Sequence, residues 1–200
     1  MKCFVEGPEY GIYDLLRHAI PGLISTNDFR KADIIALGGG CDVDPELYGE
    51  DCRNETSFNV FRDKVCIDVY KDAVRNKKKI IGICRGAQFI SVMLGGKLWQ
   101  HIAGHPAIHA VEGGMLVNSF HHQGIKKHDG ITVVHTAPIE YGSSFSGMSN
   151  VADTDMNVVE TFTAPNILCV QWHPEFLFVP HRDQVECVDW FCNEARHLCN

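Results

Sequence analysis

The chain has 200 residues, the length of one domain, and its 45% of hydrophobic residues is enough to bury a full core. Its formal net charge of −7 predicts a surface that repels nucleic acid and anionic membranes, so neither is an expected partner. No apolar stretch approaches the length of a membrane span, and the first residues lack the apolar core of a signal peptide.

Nine cysteines, an odd number, are scattered through the chain without a CxxC pair. A disulfide scaffold is rare in a domain of this size, and reduced thiols are typical of a reducing compartment. We therefore expect a cytoplasmic protein whose cysteines remain thiols.

Short apolar runs and helical stretches alternate through the first half of the chain. The predicted strands cover residues 3–5, 33–37 and 80–83, and the predicted helices cover residues 10–19, 62–76 and 86–94. The second and third strands are apolar almost throughout, as in strands that are buried on both faces. This alternation indicates a three-layer α/β sandwich, in which helices cover both faces of a central, mostly parallel sheet.

The second half of the chain is richer in strands. These are predicted at residues 114–117, 131–135, 158–162 and 167–171, and an amphipathic helix is predicted from residue 183 to the end. The Gly/Ser-rich stretch 138–155 has little periodicity and is long for a connection, so we expect a disordered segment or a mobile lid beside the active site. We find no internal repeat and no linker, and we expect residues 1–200 to form a single domain.

One cysteine differs from the others in its surroundings. Gly82-Ile83-Cys84-Arg85-Gly86 follows an apolar strand directly and opens a helix, which is the pattern of a nucleophile elbow with cysteine in place of serine. The glycines allow a tight, strained turn. The helix N-terminus favours a thiolate and offers N–H groups to an oxyanion. Cys84 is therefore the candidate nucleophile, and the other eight cysteines are expected to be buried structural thiols.

A candidate base lies near the C-terminus. Val170-Gln171-Trp172-His173-Pro174-Glu175 follows another apolar strand. A thiolate nucleophile needs a base that is oriented by a third group. Because residues i and i+2 of an extended segment point the same way, we expect Glu175 to reach the imidazole of His173 and orient it.

These two motifs together resemble the class I glutamine amidotransferase-like family, and most closely its γ-glutamyl-γ-aminobutyrate hydrolase branch, peptidase family C26. The resemblance rests on GICRGAQ at 82–88 and VQWHPE at 170–175. Four further segments agree with that branch: GGGCDVDPELYGE at 38–50, the pair Arg62-Asp63, LGGKLWQHI at 94–102 and VNSFHHQGIKK at 117–127. The matches run in order from about residue 33 to the end of the chain.

The resemblance implies a flavodoxin-like fold and a role for several residues. It implies a Cys84-His173-Glu175 triad and an oxyanion hole made by backbone N–H groups of Gly39, Gly40 and Arg85. The glutamyl end of a small-molecule substrate would be held by a further set of residues: Gln88, Ser119, His121, His122 and Gln123.

The sequence also departs from the pattern of that branch. Gly38 stands where the family usually has proline, which predicts a more flexible loop. Met156-Asn157 stands where an Asp-Gly pair usually precedes the glutamate that matches Glu160. These changes bear on the choice of substrate more than on the triad.

A metal site is the competing interpretation of the histidines. His101, His105 and His109 are spaced by four residues and would share one face of an uninterrupted helix, where they could bind zinc. Gly104 and Pro106 interrupt such a helix, and His121 already has a role by resemblance. The sequence therefore predicts no metal and no cofactor. The cysteines of the terminal helix, Cys187, Cys192 and Cys199, are expected to face the core or lie at its edge rather than to bind a metal.

Three functional classes follow. The first is a free-standing hydrolase that cleaves a γ-glutamyl amide through a glutamyl thioester. The second is a glutaminase component that delivers ammonia to a separate synthetase partner, and the third is a non-catalytic binding protein of the same fold. The complete triad argues against the third class, and the branch resemblance favours the first over the second.

Overall fold

The computed structural model describes residues 1–7, 11–102, 105, 107–139, 145–146, 157–180, 183 and 185–200. Its helices are α1 (Ile12–Ala19), α2 (Val60–Arg75), α3 (Arg85–Met93), α4 (Pro174–Leu177) and α5 (Glu186–Cys199). Its strands are β1 (Lys2–Glu6), β2 (Ile24–Ser25), β3 (Ile34–Leu37), β4 (Lys79–Ile83), β5 (Leu98–Trp99), β6 (His101–Ile102), β7 (Ile108–Ala110), β8 (Leu116–Asn118), β9 (Gly124–Ile125), β10 (Thr132–Pro138), β11 (Phe145–Ser146), β12 (Asn157–Ala164) and β13 (Ile167–Val170).

A central sheet has the strand order β2-β1-β3-β4-β13-β12-β9-β5, with β10 also paired to β12. The strands from β2 to β13 are mutually parallel. The sheet then continues through antiparallel pairings of β12 with β13, β9 and β10, and of β5 with β9. The predicted α/β fold with a mostly parallel central sheet is confirmed, and the antiparallel extension adds to it.

Alternate residues of the parallel strands point to opposite faces of the sheet. Ile34 and Ala36 of β3 pack with α1 and α5, whereas Ile35 and Leu37 pack with α2 and α3. Both faces are therefore apolar and covered, as the continuous apolar strands predict. The buried residues of α5 include Cys187 and Cys192, in agreement with their predicted place in the core.

Several short strands were not predicted. β5, β6, β7 and β9 have only two or three residues each, which is too short to show an alternating pattern. The predicted lid 138–155 falls mainly outside the described residues. Within it, the two residues of β11 pair with β6 in a separate small sheet.

The loop after β3 is fixed by a partly buried ion pair. Arg62 of α2 donates to both carboxylate oxygens of Glu6, at 3.1 Å each, and to the carbonyl of Gly38 at 3.2 Å. The N–H of Gly38 donates to the carbonyl of Glu6 at 2.9 Å. The flexibility expected from a glycine at position 38 is thus offset by these contacts, one of which a proline could not make.

A second ion pair anchors the start of α3. The guanidinium of Arg85 contacts the carboxylate of Asp63, and the two side chains are 1% and 3% exposed. Arg85 also lies 2.9 Å from the sulfur of Cys66 and stacks over Phe89. Because both charges are buried, removing only one partner of this pair would strongly destabilise the fold.

The described part of the chain contains no helix long and apolar enough to cross a membrane. All nine cysteines lie in that part, and none of them forms a disulfide.

Replacing Asp63 by alanine should destabilise the fold by about 3–5 kcal/mol, because it leaves the guanidinium of Arg85 buried without its counter-charge. Urea unfolding followed by tryptophan fluorescence measures this loss. Glu50→Ala is the matched control, since its partner Lys97 is half exposed and the pair is expected to contribute less than about 1 kcal/mol. Equal losses in the two variants would contradict the prediction.

Candidate active site

Cys84 lies at the turn between β4 and α3, at the edge of the sheet where its parallel strands end. Its backbone has φ 52° and ψ −110°, which L-residues rarely adopt. Its N–H donates to the carbonyl of Val170 at 2.8 Å and so ties the turn to β13. The side chain is 6% exposed. The sequence thus forms the predicted strand–turn–helix at this position.

The turn depends on a close approach between α3 and β3. A Cβ placed on Gly86 would overlap the carbonyl of Leu37, so only glycine lets the helix begin this close to the sheet. The first N–H groups of a helix have no partner within the helix. The amide of Arg85, the first residue of α3, therefore has no acceptor within the helix.

His173 follows β13, and its Nδ1 lies 2.6 Å from Oε1 of Glu175. The sequence predicted this contact, but the predicted reason for it was wrong. Glu175 is not in an extended segment, because Pro174 starts the short helix α4 and places Glu175 in its first turn. Proline suits this first helical position, and the turn brings the carboxylate back to the imidazole.

Gly39 lies against both Cys84 and His173. A Cβ at position 39 would be 2.8 Å from Cε1 of His173 and 3.7 Å from Cβ of Cys84. The glycine-rich loop, the cysteine and the histidine therefore meet on one side of the sheet edge, as the strand order requires.

The hydrogen-bond partners of His173 raise the pKa of its imidazole. Burial alone would lower its pKa, but hydrogen bonds to Cys84 and Glu175 outweigh burial and raise the pKa to about 10. The imidazole of His173 is consequently protonated at neutral pH.

Two aromatic rings flank His173 on its outer side. Phe176 stacks on the imidazole at 4.7 Å with an interplanar angle of 3°, and Phe120 meets it edge-on at 5.7 Å. Phe176 is 49% exposed and Phe120 is 67% exposed. They form an apolar rim beside the imidazole, which sequence reasoning did not identify.

Asn118 was also missed. Its side chain donates to the carbonyl of His173 and accepts from the N–H of His173, both at 2.9 Å. This pairing links β8 to the candidate base across a separation of 55 residues. The motif VNSFHHQ drew attention to the residues after Asn118, and no local pattern marks the asparagine itself.

Gln88 lies one helical turn after Cys84 and contacts Gln123. Nε2 of Gln88 donates to the carbonyl of Gln123 at 3.2 Å and lies 3.4 Å from Oε1 of Gln171. Both predicted residues are buried, at 3% and 0% exposed. Their contact connects α3 to the loop 119–123.

The other residues of that loop have partners of their own. Ser119 is buried, and its N–H donates to the carbonyl of Ala107 at 2.8 Å. Nε2 of His122 lies 3.1 Å from Asp42, whose hydrogen bond raises the pKa of that histidine. His121 faces Glu160, and burial lowers the pKa of His121 to about 4. The two imidazoles therefore contact protein carboxylates.

Glu160 of β12 is fully buried and faces His105 and His109 as well as His121. Burial alone would raise the pKa of Glu160, but the contacts with His105 and His109 outweigh it and lower the pKa to about 2. The sequence correctly placed no helix through the described residues of 101–110, which are strands β6 and β7 and a loop. Two of the three histidines come together all the same.

Three other buried cysteines have raised pKa values. Burial raises the pKa of Cys66, Cys187 and Cys192 to about 11. Their thiols stay protonated at neutral pH and are poor nucleophiles.

The fold is that of the class I glutamine amidotransferase-like proteins. A GMP synthase-like protein from Thermoplasma acidophilum superposes with a TM-score of 0.62 at 19% identity, over 100% of this chain and 94% of that chain. This likeness concerns the fold alone.

Two proteins with related names are similar to this chain in sequence. The glutamine amidotransferase-like protein YvdE of Lactococcus lactis is 28% identical over 74% of this chain and 68% of its own length. The γ-glutamyl-γ-aminobutyrate hydrolase PuuD of Escherichia coli is 28% identical over 83% of this chain and 73% of its own length. The sequence model of peptidase C26 matches residues 25–114 and 107–175. The chain belongs to the peptidase C26 family.

Replacing Glu175 by glutamine should lower the pKa of His173 from about 10, because the charged acceptor at Nδ1 is lost. In the wild type, protonation of His173 stabilises the fold fully below its ordinary pKa of about 6.5, and this contribution is lost as pH rises through about 10. Imidazole NMR signals recorded against pH measure the titration. An unchanged His173 titration in the variant would refute the prediction.

Proposed function

We propose that this protein is a cysteine-dependent hydrolase that cleaves a γ-glutamyl amide bond. The observation that carries the proposal is the contact of one imidazole, His173, with both Cys84 on the strained elbow and the buried carboxylate of Glu175. A nucleophile, a base and an orienting group in this arrangement are the requirements of covalent acyl transfer.

In the proposed reaction, the sulfur of Cys84 attacks the γ-carbonyl carbon as a thiolate beside the protonated imidazole of His173. The imidazolium gives its proton to the departing amine as the C–N bond breaks, and a glutamyl thioester remains. Water then attacks the thioester while neutral His173 takes its proton. The C–S bond breaks, glutamate leaves, and the thiolate–imidazolium pair is restored.

The oxyanion formed in each step needs donors that are already in place. The N–H groups of Arg85 and of Gly39 or Gly40 are our candidates, since both segments border Cys84. Each donor is expected to contribute roughly 3 kcal/mol to transition-state stabilisation.

The glutamyl end of the substrate would bind beside Gln88 and the loop 119–123. Ser119 and Gln123 supply polar groups there, and Gln123 is held to α3 through Gln88. Because His121 and His122 contact Glu160 and Asp42, we assign these two imidazoles to fixing the loop around the substrate.

The exposed rings of Phe120 and Phe176 favour a leaving group with a carbon skeleton over ammonia. They border the imidazole that protonates the leaving amine, and an alkyl amine could pack against them. The name of the relative PuuD supports the same substrate class. In the second candidate function, a glutaminase component, a synthetase partner would cover these rings instead. A reducing cytoplasm, which keeps Cys84 as a thiol, suits both.

Cys84→Ser should reduce glutamate release by roughly 10⁴-fold or more, because the hydroxyl is a far weaker nucleophile than the thiolate. Intact-protein mass spectrometry with a slow substrate should show a glutamyl adduct on the wild type only. Cys52→Ser replaces an exposed cysteine and should keep full activity. Undiminished turnover by the Cys84 variant would show that the nucleophile is misassigned.

Three substrates distinguish the two functions: glutamine, γ-glutamyl-aminobutyrate and a γ-glutamyl peptide, with release of glutamate as the readout. We expect the γ-glutamyl amine to give the highest kcat/KM and Phe176→Ala to reduce that preference, since the rim contacts only the leaving group. Activity confined to glutamine, and unchanged by Phe176→Ala, would favour the synthetase-associated glutaminase.

A further inference from the structure

Four ionisable side chains converge at the loop 119–123, and none of them makes or breaks a bond in the proposed reaction. His105 precedes β7, His109 belongs to β7, His121 follows β8, and Glu160 belongs to the central strand β12. Their side chains are 4%, 9%, 2% and 0% exposed. The cluster therefore joins three separate chain segments around one buried carboxylate.

The spacing of these groups does not fit hydrogen bonding. Oε1 of Glu160 lies 3.4 Å from Nε2 of His105, 3.4 Å from Nε2 of His109 and 3.7 Å from Nε2 of His121. Hydrogen bonds between nitrogen and oxygen are usually about 2.7–3.2 Å long. Among the described residues, neither carboxylate oxygen of Glu160 has a hydrogen-bond partner. A buried carboxylate without such partners is strongly unfavourable unless a positive charge compensates it.

The orientation of His121 shows that its neutral ring offers Glu160 no hydrogen-bond donor. Its Nδ1 lies 2.8 Å from the carbonyl of Gln123, which can only accept a hydrogen bond, so Nδ1 carries the hydrogen. In the neutral ring Nε2 is then a bare acceptor, and it faces the carboxylate of Glu160. Two acceptors that face each other in a buried site call for a cation between them.

We propose that His105, His109, His121 and Glu160 bind one zinc ion, through the three Nε2 atoms and Oε1. Zinc bonds to histidine and carboxylate are about 2.0–2.2 Å long, so neighbouring ligand atoms of a tetrahedral site are about 3.4 Å apart. The separations of Oε1 of Glu160 from the three Nε2 atoms, at 3.4, 3.4 and 3.7 Å, are close to that value. The candidate ligand atoms of His105, His109 and Glu160 all lie within 4.8 Å of one another.

The surroundings of the cluster agree with a metal centre. A zinc-bound histidine usually donates its other N–H to a carbonyl or carboxylate, as His121 does to Gln123. Four protein ligands close the coordination sphere, which is typical of structural rather than catalytic zinc. The proposed role is therefore to hold parts of the protein together.

The parts in question are the hairpin of β7 and β8 and the central sheet. The hairpin forms its own two-stranded sheet and is not paired to the central one. Zinc would bind the hairpin through His109, the following loop through His121, and β12 through Glu160. The loop carries Gln123, whose carbonyl contacts Gln88 at 3.2 Å. The metal would thus position the substrate loop without touching the reacting atoms.

Metal binding is testable independently of turnover. The full-length protein, free of any histidine tag, is stripped with a chelator and then titrated with ZnCl₂. We expect one equivalent of zinc to bind and to raise the thermal unfolding temperature, because a ligand that binds only the folded state stabilises it. His109→Ala and Glu160→Gln should lose that equivalent. His135→Ala, which removes a half-buried histidine outside the cluster, should keep it.

Cobalt distinguishes this site from adventitious binding by cysteines. Co²⁺ bound to the wild type should give the visible absorption of a tetrahedral ion without a thiolate-to-cobalt charge-transfer band, and Cys84→Ser should leave the spectrum unchanged. This measurement needs no cluster variant and remains decisive if those variants fail to fold. Absence of a stoichiometric ion, a thiolate band, or equal zinc binding by folded Glu160→Gln would overturn the proposal. None of these outcomes depends on glutamate release, so failure of the metal site and failure of the proposed hydrolase are separable.

Discussion

The candidate site depends on the register between β3, β4 and β13. Leu37 pairs with Gly82, and Val170 pairs with Ile83, so three chain segments leave the sheet at one level. Gly39, Cys84 and His173 each follow within three residues of those pairs. A shift of one residue would send a strand's side chains to the opposite face. The apolar side chains that fill both faces prevent such a shift, and the core thereby positions catalytic groups that most of it does not touch.

Charged groups on α2 connect the two halves of that site. Arg62 holds the loop after β3 through Glu6, and its neighbour Asp63 holds the start of α3 through Arg85. Cys66, one turn further along α2, contacts both Glu6 and Arg85, at 3.2 and 2.9 Å. The loop and the elbow, which carry the proposed oxyanion donors, are therefore fixed from the same helix. Removal of any one of these groups would affect both.

The long elements and the elbow could be predicted because their signals are local. A continuous apolar run followed by glycine and cysteine specifies a strand, a turn and a helix start within a few residues. The contact between His173 and Glu175 could also be predicted, although a helical turn and not an extended strand produces it. Asn118 and the cluster around Glu160 could not, because each joins residues about 40–55 positions apart. The spacing of histidines along the sequence shows only whether they could share one face of a helix. Here the hairpin of β7 and β8 brings them together instead.

The clamp between Asn118 and His173 has a mechanical consequence. The side chain of Asn118 is hydrogen-bonded to both the N–H and the carbonyl of His173, so a shift of β8 would also move the backbone of His173. The position of the hairpin therefore determines the orientation of the imidazole of His173. Insertions or deletions in the hairpin would therefore misalign the imidazole for proton transfer, even where every reacting side chain is retained. Lengthening a loop that lacks such a clamp would leave that alignment intact.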